Sequence, residues 1–360
     1  MSVGAALATV VVLLVGGGIW LVGVRGADGG TRESRETGDP QAKSPKSPRA
    51  SEHKEATASP TYPGVSVDVE EAASVARQLW NGMVTARHEN DRDALRALLK
   101  GPALEATLGD MCDCPGIPKF VAETFSVNVP RQTSWPAVFF ASATYTSSCE
   151  ASARPCVDSF VAVQDRERGP WKIALWVGYS GRLNAETSGV GPGSFALDPP
   201  PLTYRDAVTL PAEYAEYRDS LKRTGEPPPQ TRLGPGPFTT GEAEWLYDPP
   251  AEQRARNLSE GTSYTVGGDP MYAFTAVAET AVVCGTVRYT SVATALPGMT
   301  IRQSQEQTEW GTKLAPGRYS SIVAEGLHMV CFELYANPNV PVTVFGRYGS
   351  VTKVTGTRAD

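Results

Sequence analysis

The residues most able to do chemistry in this chain are its six cysteines and three histidines. The cysteines fall into one group of four that lie close together in the sequence and one pair that lies far apart. The four are Cys112, Cys114, Cys149 and Cys156, and the pair is Cys284 and Cys331. An even count in each group is typical of disulfide bonds formed in an oxidising compartment. We therefore treat all six as disulfide candidates.

Two alternatives stay open for the group of four. The segments CDC and CEASARPC could supply four thiolates to zinc, but structural zinc sites usually take C-x₂₋₄-C pairs, and neither segment has that spacing. Unbonded thiols, buried as small apolar groups, are the other alternative. A bond between Cys112 and Cys114 would close a small, strained ring. A bond from either of these to Cys149 or Cys156 would join helices to a sheet, and the sequence leaves that pairing open.

Cys284 and Cys331 lie in the alternating stretches AETAVVCGTVRYT and GLHMVCFELYA, which predict two strands. Neighbouring strands lie about 4.8 Å apart, a separation that suits a disulfide. A bond between the two would close a long loop and contribute roughly 3–4 kcal/mol to stability. The sequence therefore predicts a Cys284–Cys331 bond, with two buried thiols as the alternative.

No catalytic, cofactor-binding or metal-ligating residue can be assigned from the histidines or from known motifs. His53 lies in a polar stretch and His88 ends a predicted helix, while His328 alternates with apolar residues and is predicted to lie at the edge of the core. Asp110 and Asp113 flank cysteines and are predicted to cap or turn the chain. Neither a G-x-S-x-G elbow nor a G-x₄-G-K-[ST] phosphate loop is present.

The first apolar run, from Val3 to Val24, carries no charge. About 20 residues span a hydrocarbon core, so the run predicts a transmembrane helix. A cleaved secretory signal is the alternative, although its apolar region is usually shorter, about 7–15 residues. Arg25, Arg32 and Arg35 follow the run and favour a cytoplasmic carboxyl side. The cysteine pattern favours the opposite orientation, which we adopt.

Composition and periodicity divide the rest of the chain into tethers and folded parts. Both folded parts read as helices followed by an antiparallel meander, which is an α+β fold class. The predicted segments are a transmembrane anchor (1–25), a disordered linker (26–62), an α+β domain (63–180), a Gly/Pro-rich linker (181–204) and a second α+β domain (205–360). The net charge of −6, without a long basic block, argues against a nucleic-acid partner.

Three segments of residues 63–180 follow one another as helix, hairpin and strand. They are VARQLWNGMVTARHENDRDALRALL, then AVFFASATY with SFVAVQD, then GPWKIALWVGY. This order resembles the NTF2-like superfamily, in which a curved sheet wraps onto helices to form a cone. The layout of anchor, tether and paired modules is similar to actinobacterial membrane-anchored envelope proteins.

The resemblance implies a membrane-tethered extracytoplasmic binding or scaffold protein, with components of conjugation or secretion as one subclass. Its partners would be the membrane and a protein or envelope ligand, and it would need no cofactor. The alternative is an NTF2-like hydrolase or isomerase that uses carboxylate and tyrosine groups in its cone. A pocket lined by a buried acid with a raised pKa beside Tyr145 or Tyr179 would favour that alternative, and an apolar-filled cone would favour binding.

Overall fold

The fold is mostly antiparallel β-sheet, with 46% strand and 28% helix among the residues that the structure describes. The computed structural model describes residues 67–111, 121–132, 135–145, 156–179, 195–196, 207–276, 280–303, 313–335 and 337–359. The predicted anchor (1–25) and disordered linker (26–62) lie outside these residues. Within the described part of the chain, no helix has both the length and the apolar character needed to cross a membrane.

The predicted fold class, α+β with two modules and an NTF2-like cone in the first, is wrong. The strands of both predicted modules belong to one twelve-stranded sheet, with the order β1-β3-β4-β5-β12-β11-β9-β8-β6-β2 and with β10 on β11 and β7 on β9. The two meanders join where Gly178 of one pairs with Arg347 of the other. That contact joins segments far apart in sequence, which local periodicity does not report.

The strands have the following bounds. They are β1 (Ala122–Asn128), β2 (Pro130–Arg131), β3 (Ala137–Tyr145), β4 (Cys156–Gln164), β5 (Trp171–Tyr179), β6 (Phe195–Ala196), β7 (Leu258–Val266), β8 (Tyr272–Ala276), β9 (Thr280–Ala295), β10 (Ile301–Gln303), β11 (Gly317–Tyr335) and β12 (Thr343–Arg358). Because β1 and β2 are separated only by Val129, the two ends of the strand order lie at consecutive positions of the chain. The two ends of the sheet therefore lie next to each other.

The described helices are short apart from two. They are α1 (Val69–His88), α2 (Arg92–Leu98), α3 (Gly101–Asp110), α4 (Leu210–Thr224), α5 (Ala243–Leu246) and α6 (Pro250–Ala255), with a 3₁₀ turn at Thr240–Glu242. Asp68 caps α1 by accepting a hydrogen bond from the Glu70 N–H. Gly225 ends α4 with a φ of 79°, a left-handed conformation that glycine adopts without steric cost.

One apolar core is shared by the two halves of the chain. The Phe140 ring centroid lies 5.7 Å from that of Phe274 and 6.4 Å from that of Phe345. On the helical side, Trp80 of α1 lies 6.4 Å from Phe160. All five rings are buried, and burying each contributes about 1.5–3 kcal/mol. The shared core explains why the two predicted modules form a single sheet.

Where residues 281–287 of β9 pair with residues 328–334 of β11, the two strands are covered on both faces. Alternate residues such as Val282 and Met329 point into the shared core, whereas Val283 and Phe332 pack beneath α4 in a second apolar cluster. Helix α4 presents one buried stripe to that cluster. The stripe consists of Leu210, Tyr214, Tyr217, Arg218 and Leu221. A polar residue within this apolar stripe, Arg218, marks the first unusual site.

Candidate functional site

Cys284 and Cys331 are joined by a disulfide across β9 and β11. They stand directly opposite each other in register, with their Cα atoms 4.1 Å apart. Both are buried in the shared core beside Val282 and Met329. The bond cross-links residues 47 positions apart. The predicted bond between two central strands is therefore present.

The remaining cysteine candidates are only partly described. Cys156 begins β4 and is buried in the shared core. Cys112, Cys114 and Cys149 lie outside the described residues, so the pairing among these four stays a prediction. Within the described ranges, no group of three or more His, Cys, Asp or Glu side chains is placed to hold a metal ion.

Two polar groups lie near the carboxyl ends of α1 and α3. We call the first the Asp110 cluster, and it consists of Arg87, Asp110, Trp176 and Tyr348. Asp110 Oδ2 accepts hydrogen bonds from Arg87 Nη2 at 3.0 Å and from Tyr348 Oη at 2.7 Å. The Tyr348 ring stacks on Trp176 with centroids 3.9 Å apart. The Asp110 side chain is 42% exposed, so solvent reaches this cluster through its carboxylate.

Beside that cluster, Tyr145 of β3 donates a hydrogen bond to the Asp158 carboxylate of β4. Both residues are buried. Burial, followed by the nearby Asp158 charge, raises the pKa of Tyr145, so its hydroxyl stays protonated. Gly178 stands opposite Asp158 on β5. A buried acid thus lies next to Tyr145, which is one part of the feature that would favour the enzyme alternative.

A separate polar group, the buried arginine cluster, consists of Arg218, Glu242, Arg347 and His328. Arg218 and Arg347 form ion pairs with different oxygens of the Glu242 carboxylate. The two guanidinium groups and single carboxylate leave one positive charge in excess. Aromatic faces offset part of this charge, since the Arg218 guanidinium lies 5.3 Å from the Tyr264 ring centroid.

His328 completes the buried arginine cluster on β11. Its Nδ1 lies 3.2 Å from Arg347 Nη1 and accepts a hydrogen bond, because an arginine can only donate. Burial, then the charges of Arg347 and Arg218, lower the pKa of His328 well below its ordinary value. Gly349 stands opposite His328 in register, and a Cβ at that position would collide with the imidazole ring. Residue 349 is therefore restricted to glycine while the ring keeps this position.

The third region is an exposed face of β7, β9, β11 and β12, which we call the open sheet face. Register aligns its side chains in rows that cross all four strands. The rows are Ser259–Thr294–Ser321–Thr357, Gly261–Val292–Val323–Thr355 and Ser263–Thr290–Glu325–Lys353. Hydroxyl groups dominate these rows. The one acid–base pair within them, Lys353 and Glu325, forms an ion pair at 3.0 Å.

Arginines border the open sheet face at both ends. At one end, Arg288 donates to both Glu105 oxygens at 2.9 Å and to Asp269 at 3.2 Å. At the other end, Arg302 of β10 and Arg318 of β11 stand opposite each other in register, and both are exposed. Neither of them forms an ion pair or side-chain hydrogen bond with any residue that the structure describes.

No family model, curated protein or solved structure matches this chain. The assignment of a site therefore depends on the residues themselves. The sequence singled out the cysteines and Tyr145, but it missed the buried arginine cluster and the open sheet face. Strand β7, with the sequence LSEGTSYTV, carries a weak alternation of exposed small residues that indicates such a face.

Proposed function

We propose that this chain is a membrane-tethered extracytoplasmic binding protein whose ligand lies on the open sheet face. The observation that carries the proposal is the contrast between the two sides of the sheet. Buried apolar side chains such as Tyr289, Ile322 and Val354 cover the back of this part of the sheet, while the open face presents rows of Ser and Thr side chains that are exposed or half-buried. A ligand can therefore reach these rows from solvent.

The extracytoplasmic placement is supported by the Cys284–Cys331 disulfide, because such bonds persist in oxidising compartments. In the proposal, the apolar run Val3–Val24 anchors the chain and the polar segment 26–62 acts as the tether. Reporter fusions at Asp360 test the orientation. We expect activity from alkaline phosphatase, which must be exported, and none from a cytosol-only reporter. The reverse result would contradict the placement.

The binding role is tested with the full chain and insoluble envelope polymer prepared from the cells that produce it. Val323→Glu and Thr355→Glu place carboxylates in the middle of the open sheet face, and we expect this double variant to lose co-sedimentation. The matched control is Thr343→Glu, an exposed position on β12 outside that face. Equal retention of both variants would argue against the open face as the binding surface.

A second candidate, an acid–base enzyme, is favoured by one observation, the buried Tyr145–Asp158 pair. In that reading, Asp158 would act as the base and Tyr145 as the acid. Turnover in a panel of hydrolase and isomerase substrates tests it. Asp158→Asn should abolish any turnover found, while Ser159→Ala on the same strand should retain it. Turnover that survives Asp158→Asn would remove this candidate.

A further inference from the structure

Four basic residues lie on or beside the open sheet face, and two of them are already neutralised. Arg288 is held by Glu105 and Asp269, and Lys353 is held by Glu325. Arg302 and Arg318 differ because no carboxylate among the described residues approaches them. This difference is notable in a chain whose net charge is −6. Among the described residues, positive charge without a nearby carboxylate therefore occurs at one end of the face only.

Arg302 and Arg318 are held side by side by strand pairing. They are direct partners in the β10–β11 register, so their Cβ atoms lie roughly 4.5–5.5 Å apart. Like charges in this arrangement repel each other, which makes the pair unfavourable without an anion. Two guanidinium groups at this spacing present converging N–H donors that match the oxygens of a carboxylate or phosphate.

The arginine pair is continuous with the hydroxyl rows. Tyr319 and Ile322 both pack in a small apolar cluster behind the sheet. Arg318 precedes Tyr319 and Ser321 precedes Ile322, and adjacent strand residues point to opposite faces. An irregularity between Tyr319 and Ser321 preserves this alignment. Arg318 and Ser321 thus share the open face, and Ser321 belongs to the row of four hydroxyl residues.

We infer that the Arg302–Arg318 pair binds an acidic group of an anionic polysaccharide whose sugar units lie along the hydroxyl rows. The inference rests on the proposed function and adds the chemical class of the ligand. Serine and threonine hydroxyls both donate and accept hydrogen bonds, as sugar hydroxyls do. Neighbouring residues within a hydroxyl row lie about 4.8 Å apart from strand to strand, which gives a regular array of such groups.

Other polyanions fit the face less well. Nucleic acid and anionic membrane surfaces are bound through extended basic patches. Here only two cations on the face lack a carboxylate partner among the described residues, and the whole chain is acidic. An acidic peptide would satisfy the arginines but would not require the hydroxyl rows. The ligand that uses both features is a hydroxylated polymer with acidic groups.

The test uses the full chain in neutral detergent at low salt, because screening weakens exposed charge interactions. The probes are polygalacturonate, neutral dextran, polyglutamate and vesicles of phosphatidylglycerol. We expect polygalacturonate to bind and the Arg302→Gln/Arg318→Gln variant to weaken that binding about tenfold or more, as for the loss of a charge-assisted hydrogen bond. The matched control, Arg166→Gln/Arg168→Gln in the β4–β5 turn, removes the same charge and should bind normally.

A second pair of variants tests the hydroxyl rows. Thr294→Val and Ser321→Ala should weaken polygalacturonate binding but leave the much weaker binding of polyglutamate unchanged. An equal loss of polygalacturonate binding in the Arg166→Gln/Arg168→Gln control and in the Arg302→Gln/Arg318→Gln variant would overturn the inference. Tighter binding of polyglutamate or vesicles than of polygalacturonate would also overturn it. Dextran binding that survives in all arginine variants would also overturn it while leaving the open face as a binding surface. Binding of no probe, together with retained envelope co-sedimentation, would reject this ligand class alone.

Discussion

Two pairs of arginines in this molecule have opposite environments. Arg218 and Arg347 are buried and share the Glu242 carboxylate, with aromatic rings at their faces. Arg302 and Arg318 are exposed at the end of the sheet and have no carboxylate partner among the described residues. Burial and the charge of Arg218 lower the pKa of Arg347 to about 10, a measure of how unfavourable the buried site is for charge.

The difference separates a structural role from a binding role. A buried guanidinium must find its compensating groups within the protein, because desolvation otherwise costs several kcal/mol. An exposed pair keeps its hydration and can exchange water for a ligand anion. Removing the Glu242 carboxylate should therefore lower the stability of the fold. Replacing Arg302 and Arg318 should instead weaken ligand binding without lowering stability.

The largest expected effect is that of Glu242→Gln. This change leaves two buried guanidinium groups without their shared carboxylate, and we expect a loss of about 3–5 kcal/mol in the free energy of unfolding. Urea titration followed by circular dichroism measures it. The matched control is Glu325→Gln, which removes an exposed carboxylate and should cost less than about 1 kcal/mol. Equal losses in the free energy of unfolding of the two variants would contradict the expected difference between buried and exposed ion pairs.

The next effect concerns the covalent link on the opposite face of the same strands. Replacing Cys284 and Cys331 together by Ala should lower the free energy of unfolding by about 2–4 kcal/mol, because the unfolded chain regains the entropy of a long loop. Urea titration under non-reducing conditions measures it. Peptide mapping of the parent chain that finds both thiols alkylated would refute the bond and weaken the extracytoplasmic placement.

Acidification should destabilise the buried arginine cluster through His328. Its neutral ring faces Arg347 and Arg218, with Glu242, Tyr264 and Tyr289 nearby. Because its pKa is lowered in the folded state, the unfolded chain binds the proton more readily. Stability is therefore full above about pH 6.5 and falls by up to about 1.4 kcal/mol per pH unit below it. Urea titrations at pH 7.5 and pH 5.5 should show this loss, and His328→Gln should reduce it. If His328→Gln loses as much stability between pH 7.5 and pH 5.5 as the parent chain, other groups cause the loss.

The smallest effect is expected at the exposed pair. Arg302→Gln or Arg318→Gln relieves a repulsion between directly opposed like charges, so the free energy of unfolding should rise by a few tenths of a kcal/mol. Thermal and urea unfolding measure this change. A loss above about 1 kcal/mol would show that the pair is structural after all and that the open face lacks an uncommitted anion site.

Local patterns in the sequence identified most elements but not their assembly. The helix predicted to end at His88 is observed as α1 (Val69–His88), since helical periodicity depends on neighbouring positions. The segment GPWKIALWVGY, predicted as a strand, contains β5 (Trp171–Tyr179). The pairing of β5 with β12 depends on residues far apart in the chain, and no local signal reports it. The single sheet was therefore missed.

The candidate sites show the same limit. Cysteine spacing and strand alternation were sufficient to predict the Cys284–Cys331 bond, because a disulfide has strict geometry. The buried arginine cluster brings Arg218 of α4 and Glu242 of the 3₁₀ turn together with Arg347 of β12, which is far away in the sequence. A single polar residue within an apolar stripe is only a weak signal of a buried polar cluster. The open face depends on register across four strands, and register is set only when the sheet has formed.

The position of β12 between β5 and β11 has a consequence for how the chain matures. Residues 343–358 are made after the strands on either side of them, so the sheet cannot close while synthesis is under way. Contacts between distant segments also form slowly because long loops must close first. A nascent chain of this topology stays open until its late segment arrives. Under the proposed extracytoplasmic placement, closure of the sheet would follow export, and the cross-strand disulfide would form once β9 and β11 have met.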